Sequence, residues 1–412
     1  MPPPPADEIT RRTFRLEMWR SVPVGVIEYM FVPFAGLVAL DYYGASDAQK
    51  AFLLAVSQVG LVASLIIVPL VRKLGWMANG TAAVFHFAAA AGITLAAAFP
   101  GSLTVFLAGL GFGMFAFMLP LPLMTQIYQA NFPTSHRGKL YATTTVFRGV
   151  IAVGFALAAG WYIDRDITNF RSLLWLFAAV SVWGALLIAR MPPVHVSAGS
   201  RNPFTAFRWL RDDRKFRLLI FSWMLMGLGN LTSLKIWVEY FANKDYGNNF
   251  SVWEVTLLTV VIPSIVKLVF TYPWGWLFDR VNFYLLRVAL NTLFTAAVLV
   301  VFFGKGFWVI AIGTGLQGFA FAGGNIAWSL WVTKLAPAEH TAEYMSVHTF
   351  MTGLRGVAAP FIGFALLRDY GAGVAVFSAV LMTLSSLVLI PDLRFGRARR
   401  RGEPITPNDP SA

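Results

Sequence analysis

Long apolar stretches alternate with short polar breaks along nearly the whole chain. Twelve of them, at roughly 22–43, 51–71, 77–99, 102–127, 140–162, 172–190, 217–240, 253–278, 283–304, 306–332, 343–367 and 372–391, are long enough to cross a bilayer as helices. About 20 apolar residues rising 1.5 Å each cover ~30 Å of hydrocarbon. Most connections are short. The exception, 191–216, carries Arg201, Arg208, Arg211, Arg214 and Lys215. The pattern predicts an all-α membrane protein of 12 transmembrane helices. A tail over 1–21 leads into a six-helix bundle over 22–190. The basic loop 191–216 joins it to a second six-helix bundle over 217–391, and a tail over 392–412 follows.

The second six stretches echo the first. Gly109-x-Gly111 followed by Phe115-Ala116-Phe117 recurs as Gly313-x-Gly315 followed by Phe319-Ala320-Phe321. The same offset carries Pro133 onto Pro337 and His136 onto His340. Arg148-Gly149-Val150 recurs as Arg355-Gly356-Val357, each followed by Gly-Phe-Ala-Leu, at Gly154 and at Gly363. Copies six spans apart have the same orientation, so the expectation is two parallel six-helix repeats.

Composition agrees with a membrane protein: 57% of residues are hydrophobic and 13% charged, against ~25% charged in soluble domains. With no cysteine, disulfides, thiolate metal sites and cysteine nucleophiles are excluded. Five scattered histidines give no metal-ligand spacing, and no cofactor is implied. A net charge of +13 would suggest nucleic acid, but its distribution argues for topology. With the N-terminus in the cytoplasm, 23 of the 33 Lys and Arg lie on that side, Arg287 counted among them; six lie outside and four within spans. That bias places both termini in the cytoplasm and removes nucleic acid from the expected partners. The run Arg-Ala-Arg-Arg-Arg at 397–401 reads as a contact for anionic lipid heads, so membrane lipids are expected partners. No cleavable signal peptide is expected, and the Ala- and Arg-rich composition points to a bacterial inner (plasma) membrane.

Twelve helices in two six-helix halves around a cytoplasmic loop resemble the major facilitator superfamily. Its loop signature between the second and third helices of a half is a Gly, three residues, then Asp-Arg. The second half has it as Gly275-Trp276-Leu277-Phe278-Asp279-Arg280; the first half reads Val68-Pro69-Leu70-Val71-Arg72-Lys73, with neither the Gly nor the acid. The family's Pro and Arg-Gly before helix 5 appear as Pro133, Arg137 and Gly138. The resemblance implies the major facilitator fold, transport by alternating access, and gating roles for Gly275, Asp279, Arg280 and Arg137.

Charges inside the spans are the candidate chemistry, because an ionisable side chain there costs at least ~2.5–3.5 kcal/mol and needs a partner, water or a function. Arg148, Lys235, Lys267 and Arg355 lie inside spans, with Glu28 as the one clear acid. Four bases outnumber one acid, so some are expected to meet anionic groups of a substrate. Arg148 has an alternative role as a bridge to Glu28, and Lys235 as a base that snorkels outward. Glu28 is the candidate proton-coupling carboxylate, with helix packing or arginine pairing the alternative. Glu239 and Glu254 are expected to be wet. Gln58, Gln126, Asn230, Asn291, Gln317 and Asn325 would line a cavity or join helices. Trp161, Trp237 and Trp276 fit interfacial belts, and Trp328 and Trp331 lipid or headgroup contact, with stacking on a ligand the alternative.

The expected function is a monomeric secondary transporter of a small organic anion, driven by an ion gradient, exchange or the solute gradient itself, with a proton as the candidate coupling ion. No nucleotide-binding loop is present. Efflux of drug-like or lipid-like compounds is the nearest alternative, although span 5 lacks the proline of the exporters' signature. A non-transporting receptor or scaffold is the second. The chain shows no paired catalytic acids and no Ser/His arrangement, so an enzyme is not expected.

Overall fold

The computed structural model describes residues 6–133, 137–196, 203–331, 335–336 and 340–391. Among them the backbone is helical almost throughout, as it must be where no water satisfies peptide groups. The long helical segments among the described residues run in order as follows. α1 covers Ala6–Tyr29 and continues through the wider turns Met30–Phe34 and Val38–Tyr42, α2 is Asp47–Lys73, α3 Ala78–Ala98 and α4 Leu103–Asn131. α5 is Arg137–Arg165, α6 Phe170–Ala189, α7 Arg214–Ala242 and α8 Val252–Arg280. α9 is Phe283–Phe303, α10 Phe307–Leu330, α11 Thr341–Tyr370 and α12 Val374–Leu389. Nine described stretches are long and apolar enough to cross a membrane, or ten if the bent pair within α2 is one span; α11 and α12 count as one such stretch. The chain is a multi-pass membrane protein.

α1 starts earlier than the apolar pattern suggests. Its first turns are charged, yet Glu17 and Arg20 satisfy each other there, so the helix continues outside the apolar stretch. Proline explains part of its later irregularity: Pro33, inside Met30–Phe34, has no N–H to donate and displaces the preceding turn.

Contacts divide the chain into two compact units. One comprises Met1–Thr205 with Trp237–Val261; the other comprises Ala206–Ile236 with Ile262–Ala412. In the first unit, Phe34, Phe106, Phe170 and Phe177 are wholly buried around Met30, Ile93 and Leu174. The end of α7 and the start of α8 pack here too. The Tyr29 hydroxyl lies 3.3 Å from Thr256 Oγ1, and Val238 lies against Gly36. Asp164 Oδ1 accepts from the Trp253 amide at 3.1 Å.

In the second unit, α7 is joined to α10 and α12 by buried polar bonds. Gln317 Nε2 donates to Asn230 Oδ1 at 2.7 Å, and the Ser222 and Ser385 hydroxyls are 2.8 Å apart. Asp213 caps α7, accepting from the Phe216 amide at 3.0 Å, while its other oxygen accepts from the Tyr344 hydroxyl at 2.7 Å. Trp209 from the central loop stacks near His340 and Tyr344, ring centroids 4.5 and 5.3 Å away.

The sequence repeat has a structural counterpart. A Cβ on Gly109 would lie 2.6 Å from the Gly92 carbonyl oxygen, so α4 crosses α3 only because the residue is glycine. Gly313 does the same for α10 against α9, where a Cβ would meet Val301 Cγ2 at 2.8 Å. Small residues let helices approach in lipid, where no hydrophobic drive holds them together.

Candidate substrate-binding and gating sites

The predicted site residues separate into different environments. Arg148 on α5 and Glu28 on α1 form the ion pair that the sequence left open, Nε to Oε1 2.9 Å, and both side chains are partly exposed. α1 and α5 meet closely there: a Cβ on Gly25 would sit 2.8 Å from the Arg148 carbonyl. The pair is therefore reachable by water or solute and held in register by its backbone.

Lys267 sits half-buried midway along α8, one turn before Thr271, whose hydroxyl donates to the Lys267 carbonyl at 2.6 Å. Lys235 is half-buried at the C-terminal end of the regular part of α7 and has no ion pair among the described residues.

Arg355 on α11 turns inward. Its Nη1 donates to the Trp223 carbonyl of α7, and its guanidinium occupies the space where a Cβ on Gly227 would be. Glycine at 227 is what admits the side chain. Arg287 on α9 meets the same tryptophan, its Cζ 3.6 Å from the Trp223 ring centroid, and donates through Nη2 to Asn291 Oδ1 at 3.2 Å. Arg287 is 0% exposed. This corrects its count among the cytoplasmic bases: the side chain folds into the bundle instead of reaching out to water. His348, two turns before Arg355 on the same face of α11, lies 4.8 Å from Trp223 by ring centroids and accepts at Nδ1 from Trp331 Nε1 at 2.9 Å.

The gating residues present a plainer picture. Asp279 and Arg280 are exposed at the end of α8. Arg280 stacks on Trp276 at 4.2 Å and reaches its carbonyl at 3.4 Å. No ion pair joins Asp279 among the described residues. Gly275 is not sterically required, since a Cβ there would make only an ordinary 3.8 Å contact with Ile326. Arg137 opens α5, and its side chain lies outside the described residues, as do Pro337 and the run at 397–401.

Three expectations are overturned. Glu239 is 4% exposed, not wet: its Oε2 lies 2.6 Å from Lys50 Nζ and its Oε1 accepts from Asn243 Nδ2 at 2.9 Å. Burying an acid there is possible because Lys50 comes with it; Asp47 sits 3.2 Å from the same nitrogen. Trp237 is buried in the first unit and does not join an interfacial belt, whereas Trp161 and Trp276 are exposed. Trp331 is wholly buried against His348 and Phe216, so it faces protein and not lipid.

Comparison with known proteins accords with this architecture. The sequence model of the Major Facilitator Superfamily matches residues 236–407. A comparison with curated protein sequences gives no match. The nucleoside transporter NupG superposes with TM-score 0.70 at 14% identity, covering 93% of this chain and 98% of that one. A bacterial homolog of the human lysosomal transporter Spinster, in an inward-facing and unoccupied conformation, gives 0.64 at 14% identity over 94% and 98%. The xylose transporter XylE from E. coli, inward open, gives 0.65 at 14% identity over 94% and 96%. At that identity the likeness shows the fold. Profile and fold agree: the chain has the major facilitator fold along nearly its whole length, and its second half matches the Major Facilitator Superfamily.

Proposed function

We propose that the chain is a secondary transporter that carries a small organic anion across the inner membrane by alternating access of two like-oriented bundles, with both termini in the cytoplasm. The observation that carries the anion is the charge balance at membrane depth. Arg355 and Lys235 sit within spans of the second unit, and no described salt bridge joins either to an acid; Lys267 adds a third base midway along α8. Arginine offers a planar fork to a carboxylate or phosphate, and lysine a point charge. A nucleoside transporter and a D-xylose-proton symporter share this fold, a precedent for polar solutes of this size.

Glu28 is the proton-coupling candidate because it is an acid at membrane depth, partly open and paired with Arg148. Protonating it releases Arg148, and releasing Arg148 gives a substrate carboxylate a cation to meet. The solved structures include a D-xylose-proton symporter, a precedent for proton coupling on this fold. Asp279 and Arg280 fit a cytoplasmic gate by position alone.

The test is uptake into proteoliposomes. Purified protein is reconstituted with labelled small carboxylates, phosphate esters, a nucleoside and a pentose, with and without an inward proton gradient. Saturable uptake of an anion, lost in Lys267→Ala, is expected. Uptake of the nucleoside or pentose alone, unchanged in that variant, would contradict the reading.

A further inference from the structure

The second unit buries two guanidinium groups that no acid among the described residues pairs with. Arg287 is 0%, His348 1%, Trp223 3% and Arg355 7% exposed. No described salt bridge involves Arg287 or Arg355. Arginine does not escape by losing its proton, and an unpaired buried ion is costly to keep. Stacking on Trp223 offsets a part of this for Arg287, but a ring face carries no net charge.

The unsatisfied atoms of the cluster are all nitrogens, and each of them donates. Arg287 Nε and Nη1, Arg355 Nε and Trp223 Nε1 are buried with no hydrogen-bond partner. His348 Nε2 joins them. Its Nδ1 accepts from an indole N–H, which only donates, so the neutral ring carries its hydrogen on Nε2. The cluster therefore has unsatisfied donors on three helices and two fixed positive charges, and its acceptors, the Trp223 carbonyl, Asn291 Oδ1 and His348 Nδ1, are neutral and already engaged. A water molecule supplies an acceptor but leaves the charge standing.

We infer that Arg287, Arg355 and His348 form a binding site inside the second unit for a soluble oxyanion, a carboxylate or phosphate group, which neutralises the two arginines. The inference rests on the anion-transport reading and narrows its substrate class to oxyanions. Arg355 is fixed from the other side by the Trp223 carbonyl and Gly227, and Arg287 by Asn291, so both forks are held before the anion arrives. Asn291 is itself held by Ser385 at 3.0 Å and Ser386 at 3.2 Å.

The test uses full-length protein in detergent, exchanged into a buffer without oxyanions. Inorganic phosphate, acetate, chloride and phosphatidylglycerol are added in separate arms at matched ionic strength, and melting is followed. At ~100 times Kd, phosphate or acetate is expected to raise the melting temperature by a few degrees. The rise is expected to vanish in Arg287→Met and in Arg355→Gln. In the anion-free buffer Arg287→Met is expected to melt higher than the parent, because it removes an unpaired charge; a purely structural arginine would melt lower when replaced. Gly227→Ala, which crowds the Arg355 guanidinium while keeping every charge, is expected to weaken anion binding at least tenfold. Equal stabilisation by chloride, stabilisation by phosphatidylglycerol alone, or an oxyanion shift that survives Arg287→Met overturns the proposal. Because melting does not depend on transport, failure here leaves the uptake result standing, and failure of uptake leaves the site standing.

Discussion

Both units bury arginine, and they treat it in opposite ways. In the first unit Arg20 is gripped by Glu17 through two hydrogen bonds, of 2.7 and 2.6 Å, and donates to the Tyr128 hydroxyl at 2.8 Å. Its charge is cancelled where it arises, one turn away on the same helix. In the second unit Arg287 and Arg355 share Trp223, and no salt bridge among the described residues joins either to a carboxylate. The first arrangement is complete without a ligand and holds α1 to α4. The second is incomplete without one. Burial of a base is therefore no guide to function by itself; what separates a fastener from a binding site is whether the counter-charge belongs to the chain.

The largest effect that would break this comparison is at Glu17. Glu17→Ala leaves Arg20 buried without its acid and is expected to cost about 3–5 kcal/mol in stability, measured by denaturant unfolding in detergent. A loss below 1 kcal/mol would mean that Arg20 is as free of its acid as Arg287. Lys50→Met makes a similar test of the other dry pair. It strands Glu239 with only Asn243 as partner, and a loss of about 3 kcal/mol is expected in the same assay. Gly227→Ala is expected to cost about 1–3 kcal/mol, because the added carbon overlaps the Arg355 guanidinium. Arg287→Met moves the other way, gaining about 1 kcal/mol or more without anions. The smallest effect is at the partly open pair: Arg148→Ala changes stability by about 0–1 kcal/mol. Glu28→Gln is expected to remove the dependence of uptake on a proton gradient while leaving folding intact. Uptake that still follows the gradient would exclude Glu28 as the coupling group.

Helical architecture was legible in the sequence because the bilayer imposes it: a span has a minimum length, and the backbone has one way to satisfy itself there. The repeat was legible at Gly109 and Gly313 because each removes a side chain from a helix crossing, and few other residues serve. Charges were harder. Arg287 lies one turn into α9, where a side chain reaches either outward to headgroups or inward to the bundle, and the apolar pattern is identical in both cases. Its direction is decided by Trp223 and Asn291, and only Asn291, four residues on, is a local signal. The His348 and Arg355 spacing of seven places both on one face of α11, the local signal that joins them. Lys50 and Glu239 are 189 residues apart in sequence, and nothing local to either marks the other. Trp237 and Trp331 show the same limit: an indole near a span end is read as interfacial until the helices that cover it are known.

The central claim is that the arginines of the second unit await an anion while that of the first does not. Selenate, a tetrahedral oxyanion with an anomalous signal, tests this in crystals of the full-length protein. An anomalous peak within hydrogen-bond reach of Arg287 and Arg355, with none at Arg20, is the predicted result. An empty cluster at saturating selenate, or a carboxylate of the chain itself seated between the two guanidinium groups, would contradict the account.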